Sequence, residues 1–256
     1  MNVVVCVKMA PDVADLEATA DGTVSLDKAE WILGAYDLQA VEAAVQLVEA
    51  VGGKVIALSA GPAQTNNSRL KKDLLARGPD ELVLIVDEAL READTATTAR
   101  VLRKAVEKLG DADLVLCGEG SADLYFQQVG LQLGERLGWP SLNAISRIAP
   151  STDTLAVERS LEDEVELLEV SLPVVLSVST GINQPRLPTM KMIRAAAKKP
   201  VTIWSLADLD ETPAKSVQVL SVNAPRKAQR KRVLLAGTPE EAAQALVRHL
   251  SKAGAV

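Results

Sequence analysis

The chain has 256 residues, of which 48% are apolar and 24% are charged, and its formal net charge is −6; this is an ordinary composition for a globular protein. It contains one histidine, two cysteines and six aromatic residues (three Trp, two Tyr and one Phe). These counts exclude a Ser-His-Asp or Cys-His mechanism, a zinc site with about four Cys or His ligands, and a disulfide framework. A bound cofactor must carry most of any redox chemistry, and the two isolated cysteines are typical of a cytoplasmic protein.

The first 145 residues alternate between short apolar runs and amphipathic helical patterns. Helical periodicity predicts helices over Asp37–Val51, Asp94–Leu109 and Gln127–Leu137. Continuous apolar runs are typical of strands buried on both faces of a parallel sheet. These runs are Val3–Val7, Lys54–Ser59, Leu82–Val86 and Asp113–Cys117. The alternation predicts right-handed βαβ units in a doubly wound α/β domain with a mainly parallel sheet.

The pattern changes after Pro150. Two strands, Thr154–Arg159 and Val165–Val170, are predicted around an acidic turn. We expect a solvated hairpin here rather than a metal site, because the ligand spacing of a calcium loop is missing. Pro173–Ser179 predicts a further buried strand, and a short helix is expected within 183–199. A capping box with proline at the first helical position predicts a last helix after Thr238.

Charge is distributed unevenly along the chain. From Arg186 to Arg232 there are eleven basic and three acidic residues, a net charge of +8, which leaves −14 for the remainder. A basic segment could bind nucleic acid, but the scarcity of aromatic residues favours an arm that docks on a protein. No apolar run approaches the roughly 20 residues that a membrane helix needs, and the apolar run at the N-terminus is too short for a signal peptide. We therefore expect no membrane insertion.

The strongest local signal is the loop after the strand that ends at Cys117. Gly118, Gly120 and Ser121 lead from this strand into the next helical pattern. Glycines permit close approach of the backbone, and the free N–H groups at a helix start favour a phosphate. Open α/β sheets bind ligands beyond the carboxyl ends of their strands. The loop matches neither G-x-G-x-x-G after the first strand nor a P-loop. The alternative is therefore an ordinary strand-to-helix turn, in which Gly and Ser serve only to make the turn.

Three other strand ends are predicted to point to the same rim. They are Cys6–Asp12, Gly34–Asp37 and Ser59–Pro62. The alternative for each is ordinary turn chemistry: Asp37 would be a helix N-cap, and the two cysteines would be small core residues.

Several segments taken together resemble the beta subunits of electron transfer flavoproteins, and the similarity is greatest to the FixA-like branch. In chain order these segments are VCVKMAPD, GAYDLQAVEAA, ALSAGPAQ, ARGPDELVLI, DLVLCGEGSADLYFQQVG and LPVVLSVSTGINQPRLPTMKMIRAAAKKP. The resemblance covers about residues 1–205. It implies a nucleotide-binding domain over 1–200, of the adenine nucleotide alpha hydrolase-like type, and a C-terminal arm over 201–256 that docks on an alpha subunit.

The resemblance also implies an adenine nucleotide at the predicted rim. FAD is favoured over AMP because VKMAPD and Tyr36-Asp37 look like the electron-bifurcating members of the family. Expected contacts on the adenosine side are Cys6, Gly34, Ala35, Tyr36, Asp37, Ala60 and Cys117, and Lys8 and Met9 are also expected to contact the cofactor. Expected contacts on the phosphate side are Ser121, Ala122, Asp123, Tyr125, Gln127, Gln128, Val129 and Gly130. The chain departs from the family at Leu124, Tyr125 and Phe126, where small or acidic residues are usual.

The same resemblance implies partners for electron transfer. These are a FixB-like alpha subunit that carries its own FAD, an acyl-CoA-type dehydrogenase, and a membrane quinone oxidoreductase or equivalent. Residues 183–199 resemble a loop that docks on the dehydrogenase, with Met190 as its anchor beside Pro188, Thr189 and Lys191. The alternative for this segment is a surface helix with a buried Met190.

Two other classes of protein have similar patterns through residue 140. A free-standing adenine-nucleotide sensor of the universal-stress type should end near that residue, whereas this chain continues for more than a hundred residues. An ATP-pyrophosphatase needs an S-G-G-x-D-S loop near the first strand, and VKMAPD is not one.

Overall fold

Nine strands form one mixed sheet that carries helices on both faces. The computed structural model describes residues 1–19, 22–26, 28–151, 154–212, 217–224 and 232–255. Its strands are β1 (Asn2–Cys6), β2 (Met9–Pro11), β3 (Glu17–Ala18), β4 (Val24–Ser25), β5 (Trp31–Leu33), β6 (Lys54–Gly61), β7 (Glu81–Val86), β8 (Leu114–Gly118), β9 (Ser141–Pro150), β10 (Thr154–Ser160), β11 (Val165–Ser171), β12 (Val174–Val178) and β13 (Val201–Trp204). Its helices are α1 (Ala35–Val51), α2 (Ser68–Ala76), α3 (Thr95–Leu109), α4 (Val129–Leu137), α5 (Met190–Ala196) and α6 (Pro239–Lys252).

The strand order of the main sheet is β11-β10-β9-β12-β8-β1-β6-β7-β13. All neighbouring pairs from β9 to β13 in this order are parallel, and β10 is antiparallel to both β9 and β11. The predicted doubly wound α/β fold with a mainly parallel sheet is therefore confirmed. The predicted acidic hairpin is also confirmed as β10 and β11, and the described residues contain no group of three potential metal ligands.

The central strands are apolar throughout because helices cover both faces of the sheet. In β1, Val3 and Val5 pack in one core cluster with residues of α1, α2 and α5. Val4 and Cys6 point the other way and pack in a second cluster with residues of α3 and α4. Alternate side chains of one strand therefore enter different cores, and this explains the unbroken apolar run in the sequence.

The strand order reverses between β1 and β8, which are neighbours in the sheet: β6 and β7, which follow β1, and β9 to β12, which follow β8, are added on opposite sides of this pair. The loop after β1 leads to α1 on one face, whereas the loop after β8 leads to α4 on the opposite face. Loops that diverge in this way leave a crevice beyond the carboxyl ends of the two strands, where open α/β sheets bind their ligands.

Some elements differ from the sequence-based expectations. Helix α4 begins at Val129 rather than at Gln127, because Tyr125 and Gln127 have left-handed φ angles of 48° and 55° and interrupt the helix. Helix α2 was not predicted, since it is short and highly charged. Strand β9 was not predicted either, because Ala144, with φ of 57°, breaks its pattern.

The sheet continues past the predicted domain boundary at residue 200. β13 pairs with β7, and the following residues Leu206 and Leu209 are buried. The capping box at Thr238 is confirmed at the start of α6. Residues 213–216, 225–231 and 256 of the predicted arm lie outside the described residues, and the boundary itself stays a prediction.

Residues 183–199 are fixed to the domain at both ends. The guanidinium of Arg186 donates to Glu42 (2.8 and 3.0 Å) and to Glu49 (2.7 and 3.0 Å), both on α1. Burial raises the pKa of Glu42, but the hydrogen bonds from Arg186 outweigh it and the pKa lies below its usual value. At the other end, the Lys199 ammonium donates to the carbonyls of Leu75, Gly78 and Pro79 after α2.

The pairing of Arg186 with Glu42 generates a stability prediction. Glu42 is 4% exposed, so Glu42→Gln should lower the free energy of unfolding by about 3 kcal/mol, because it leaves a half-buried guanidinium partly unpaired. Glu49 is exposed, and the control Glu49→Gln should cost less than about 1 kcal/mol. Urea denaturation of the purified variants measures both values. Equal losses in the two variants would contradict the prediction.

Candidate functional site

Small side chains at the ends of β1, β6 and β8 lie on one face of the sheet, where the two cysteines belong to the core cluster. Cys6 ends β1 and Cys117 lies near the end of β8, and both are buried free thiols in contact with each other. The hydrogen bond to Cys117 and burial together raise the pKa of the Cys6 thiol. Ala60, near the end of β6, packs against the same core cluster. The structure therefore brings these three predicted residues to one face of the sheet, at the predicted edge.

Asp37 connects the two strand ends that border the crevice. Its carboxylate accepts a hydrogen bond from the backbone N–H of Lys8 (2.7 Å) and another from that of Gly118 (3.3 Å). Burial raises the pKa of Asp37 to about 7, although these two hydrogen bonds oppose the shift. Helix α1 begins at Ala35 with Gly34 as its N-cap. The alternative that Asp37 is a helix N-cap is therefore wrong.

Two glycines leave the space that the Asp37 carboxylate occupies. A Cβ atom at Gly118 would lie 2.6 Å from Oδ1 of Asp37, and one at Gly34 would lie still closer to Oδ2. The N–H of Gly34 also donates to the carbonyl of Lys8 (2.8 Å), which fixes the start of α1 against the end of β1. Glycine is needed at both positions because the backbone approaches a side chain closely.

The loop after β8 is held across the crevice by an ion pair. The Lys8 ammonium lies 2.6 Å from a carboxylate oxygen of Asp123. Burial raises the pKa of Asp123, but hydrogen bonds from Lys8 and Ser121 outweigh it, so the pKa lies below its usual value. This pair joins the end of β1 to the middle of the predicted phosphate loop.

An aromatic contact joins the same loop to the start of α1. The rings of Tyr36 and Tyr125 are tilted by 43°, with centroids 5.2 Å apart. The Tyr125 hydroxyl donates to Glu119 (3.0 Å), and its left-handed backbone is of the kind that clusters at ligand clamps. Leu124 and Phe126 on either side are each 56% exposed, so this part of the loop presents apolar surface beside the crevice.

The start of α4 has no side-chain cap. Gln128 precedes the helix, and its Oε1 accepts hydrogen bonds from Thr95 (2.9 Å) and Gln132 (3.3 Å) instead of capping the first turn. Gly130 lies against Ser177 of β12 so closely that a Cβ atom would collide with the hydroxyl. Among the described residues, the buried Oε1 of Gln132 has no hydrogen-bond partner. The first turn therefore combines unpaired backbone N–H groups with amide side chains, which suits an anion.

The predicted site residues differ in how far they are buried. Met9 is 4% exposed and packs in the α1-side core with Leu33. Ala35 and Ala122 are exposed. The assignment of contacts to individual residues therefore stays a prediction, although most of the predicted residues lie around one crevice.

Two residues at the site were not predicted from the sequence. Thr95 begins α3 and meets Gln128, which is 33 positions away, and Glu119 accepts the Tyr125 hydroxyl. Only the packing of α3 beside α4 brings Thr95 to this position, so no local pattern could have indicated it. Gly118 and Glu119 do follow the predicted strand directly, and that position was the available signal.

The fold is that of a doubly wound α/β protein, with a candidate ligand site at the carboxyl ends of its central strands. The family model described as the electron transfer flavoprotein domain matches residues 21–209, well over half of the chain. The chain therefore belongs to the electron transfer flavoprotein family. Proteins of this family generally involve FAD and work with a second subunit and with dehydrogenases. Among the described residues, no helix is both long enough and apolar enough to cross a membrane.

The ion pair at the crevice generates a prediction about Asp123. In Lys8→Met the favourable charge and hydrogen bond of Lys8 disappear while burial remains, so the pKa of Asp123 should rise. Carboxyl ¹³C NMR titration of Asp123 measures this shift. The control Lys54→Met removes the distant pair with Glu81 and should leave the pKa of Asp123 unchanged. A pKa of Asp123 that stays low in Lys8→Met would contradict the assignment.

Proposed function

We propose that this chain is the beta subunit of a heterodimeric electron transfer flavoprotein of the FixA-like branch. It holds an adenine nucleotide in the crevice between β1 and β8 and exchanges electrons together with a FixB-like alpha subunit that bears FAD. The observation that carries the proposal is the convergence of Cys6, Asp37, Cys117 and the uncapped start of α4 at the switch point of a family-matched fold.

The residues present suit an adenine nucleotide. The thiols of Cys6 and Cys117, together with Ala60, offer a small apolar floor for a planar base. The first turn of α4 offers backbone N–H groups for phosphate.

The chain itself binds and orients the nucleotide and excludes water from it. The floor residues remove water from one face of the base, and the Lys8–Asp123 and Tyr36–Tyr125 contacts hold the phosphate loop across the crevice. FAD would supply one- or two-electron transfer, whereas AMP would be structural. In this protein the side chains therefore position the cofactor and carry no bond-making chemistry.

FAD is the nucleotide that we propose for this subunit, with AMP as the alternative. The support comes from the resemblance of the VKMAPD and Tyr36-Asp37 segments to electron-bifurcating members. FAD here would allow bifurcation with oxidation of NADH.

The flavin content of the purified heterodimer tests this choice. If FAD occupies the crevice, the ratio should be two flavins per heterodimer, one in each subunit. The absorbance of flavin released by denaturation, divided by protein concentration, gives the ratio. One flavin together with one AMP, identified by mass spectrometry, would contradict FAD in this subunit and support AMP.

The partner-docking proposal rests on the segment fixed by Arg186 and Lys199. Thr189 caps α5, and Met190 at its first position is 67% exposed. The alternative of a surface helix with a buried Met190 does not agree with this exposure. Leu187, which directly follows Arg186, is 82% exposed. We propose that this segment, including Pro188 and Lys191, docks on an acyl-CoA-type dehydrogenase.

Met190→Ala should weaken electron transfer from the dehydrogenase without releasing the nucleotide. We expect KM for the dehydrogenase to rise about tenfold, which corresponds to about 1.4 kcal/mol for the loss of one apolar contact. Steady-state kinetics with the co-purified dehydrogenase measures this change. Leu167→Ala is the control, because Leu167 is 77% exposed on β11 and should leave KM unchanged. Unchanged kinetics in Met190→Ala would contradict the docking role.

The C-terminal arm provides the support for a second subunit. Helix α6 has no buried residue within the described part of the chain, although Leu246 and Val247 are among its apolar side chains. Leu220, in the preceding stretch, is 87% exposed. Exposed apolar side chains in this amount favour a docking arm over a free-standing sensor. The remaining proposed partner is a quinone oxidoreductase or equivalent redox protein.

A further inference from the structure

Asp37 is a buried carboxylate that forms no ion pair with a basic side chain of the described residues. The other buried carboxylate of the described residues, Glu42, is neutralised by Arg186. Asp37 is held instead by two uncharged backbone N–H groups, those of Lys8 and Gly118. It is 7% exposed and lies where the ends of β1 and β8 border the crevice. We expect a nucleotide bound over these strand ends to cover the small remaining surface.

Few other charged groups face Asp37. These groups are the Cys6 thiol at the end of β1, the Lys8 ammonium two residues later, and the Asp123 carboxylate in the loop after β8. Lys8 is already paired with Asp123. The pKa of Cys6 is raised and that of Asp123 is lowered, so neither group changes its protonation between pH 6 and 8. The pKa of Asp37, about 7, lies inside this range.

Nucleotide binding should raise the pKa of the Asp37 carboxylate in two ways. Covering Asp37 removes its last contact with water, which disfavours the charged form. A diphosphate brought to the neighbouring start of α4 adds negative charge near it, which disfavours the charged form again. The carboxylate should therefore gain a proton as the site fills.

We infer that Asp37 is the positioning residue of this site, which holds the backbone after β1 to the end of β8, and that nucleotide binding is accompanied by uptake of a proton at its carboxylate. The inference rests on the proposed nucleotide site. The affinity for an adenine dinucleotide is then linked to pH: it is highest when Asp37 is protonated and falls as pH rises through neutrality.

Calorimetry with ADP-ribose tests the inference on the full chain freed of bound nucleotide. ADP-ribose carries adenosine and a diphosphate whose charge is constant between pH 6 and 8, whereas the monophosphate of AMP titrates near this range. Titrations in buffers of different ionisation enthalpy should show net proton uptake at pH 7. Kd should rise about three- to tenfold from pH 6 to pH 8.

The variant Asp37→Asn keeps the size of the side chain and cannot ionise. It should bind ADP-ribose without proton uptake and with a Kd that is the same at pH 6 and pH 8. A merely structural role would weaken binding equally at each pH and leave the uptake intact. The control Asp80→Asn should retain the uptake, because Asp80 accepts the backbone N–H of Val55 (2.8 Å) at the start of β6, at the opposite edge of the sheet. If Asp37→Asn does not fold, carboxyl NMR of the wild-type protein measures the same quantity: the pKa of Asp37 should rise when ADP-ribose is added.

The outcomes separate this inference from the proposed function. Binding of ADP-ribose without proton uptake would overturn the inference and leave the nucleotide site in place. Uptake that persists in Asp37→Asn would overturn the assignment to Asp37. Failure of the wild-type chain to bind ADP-ribose, AMP and adenosine would overturn both.

Discussion

The site depends on one interaction, in which a buried carboxylate joins the two loops that leave β1 and β8 toward opposite faces of the sheet. β1 and β8 lead to helices on opposite faces of the sheet, so nothing in the sheet itself joins the loops that follow them. Asp37 joins them by accepting one backbone N–H from each side. Gly34 and Gly118 are the positions that make room for it. The floor with its two cysteines and the loop that closes over it are arranged around this contact.

The site uses backbone groups and small side chains where many redox proteins use histidines and metal ligands. Its specific side-chain contacts are the Lys8–Asp123 ion pair and the Tyr36–Tyr125 ring contact, and both serve to hold a loop. Such an arrangement suits the proposed role, in which the chain holds and orients a cofactor without reacting with it. The single histidine lies in the last turn of α6. The composition of the chain and the construction of the crevice are therefore consistent with each other.

The sequence predicted the central strands well because both faces of the sheet are covered, so each strand is an uninterrupted apolar run. It predicted the rim residues for a topological reason, since the carboxyl ends of parallel strands meet at one edge. It did not predict β9, where a left-handed Ala144 interrupts the pattern. The role of Asp37 was also missed, because its two donors lie 29 and 81 positions away in the chain. Contacts set by tertiary packing, such as that of Thr95 with Gln128, leave no local signal.

In the segment between Arg186 and Lys199, the residues that fix the segment to the domain differ from those that are exposed to solvent. Its two ends are fixed by hydrogen bonds to α1 and to the carbonyls after α2. The side chains of Leu187 and Met190 point away from the protein and contribute little to its stability. Substitutions at these two positions are therefore nearly neutral for folding. If this surface docks on a partner as proposed, evolution can change the partner one side chain at a time without altering the residues between β1 and β8.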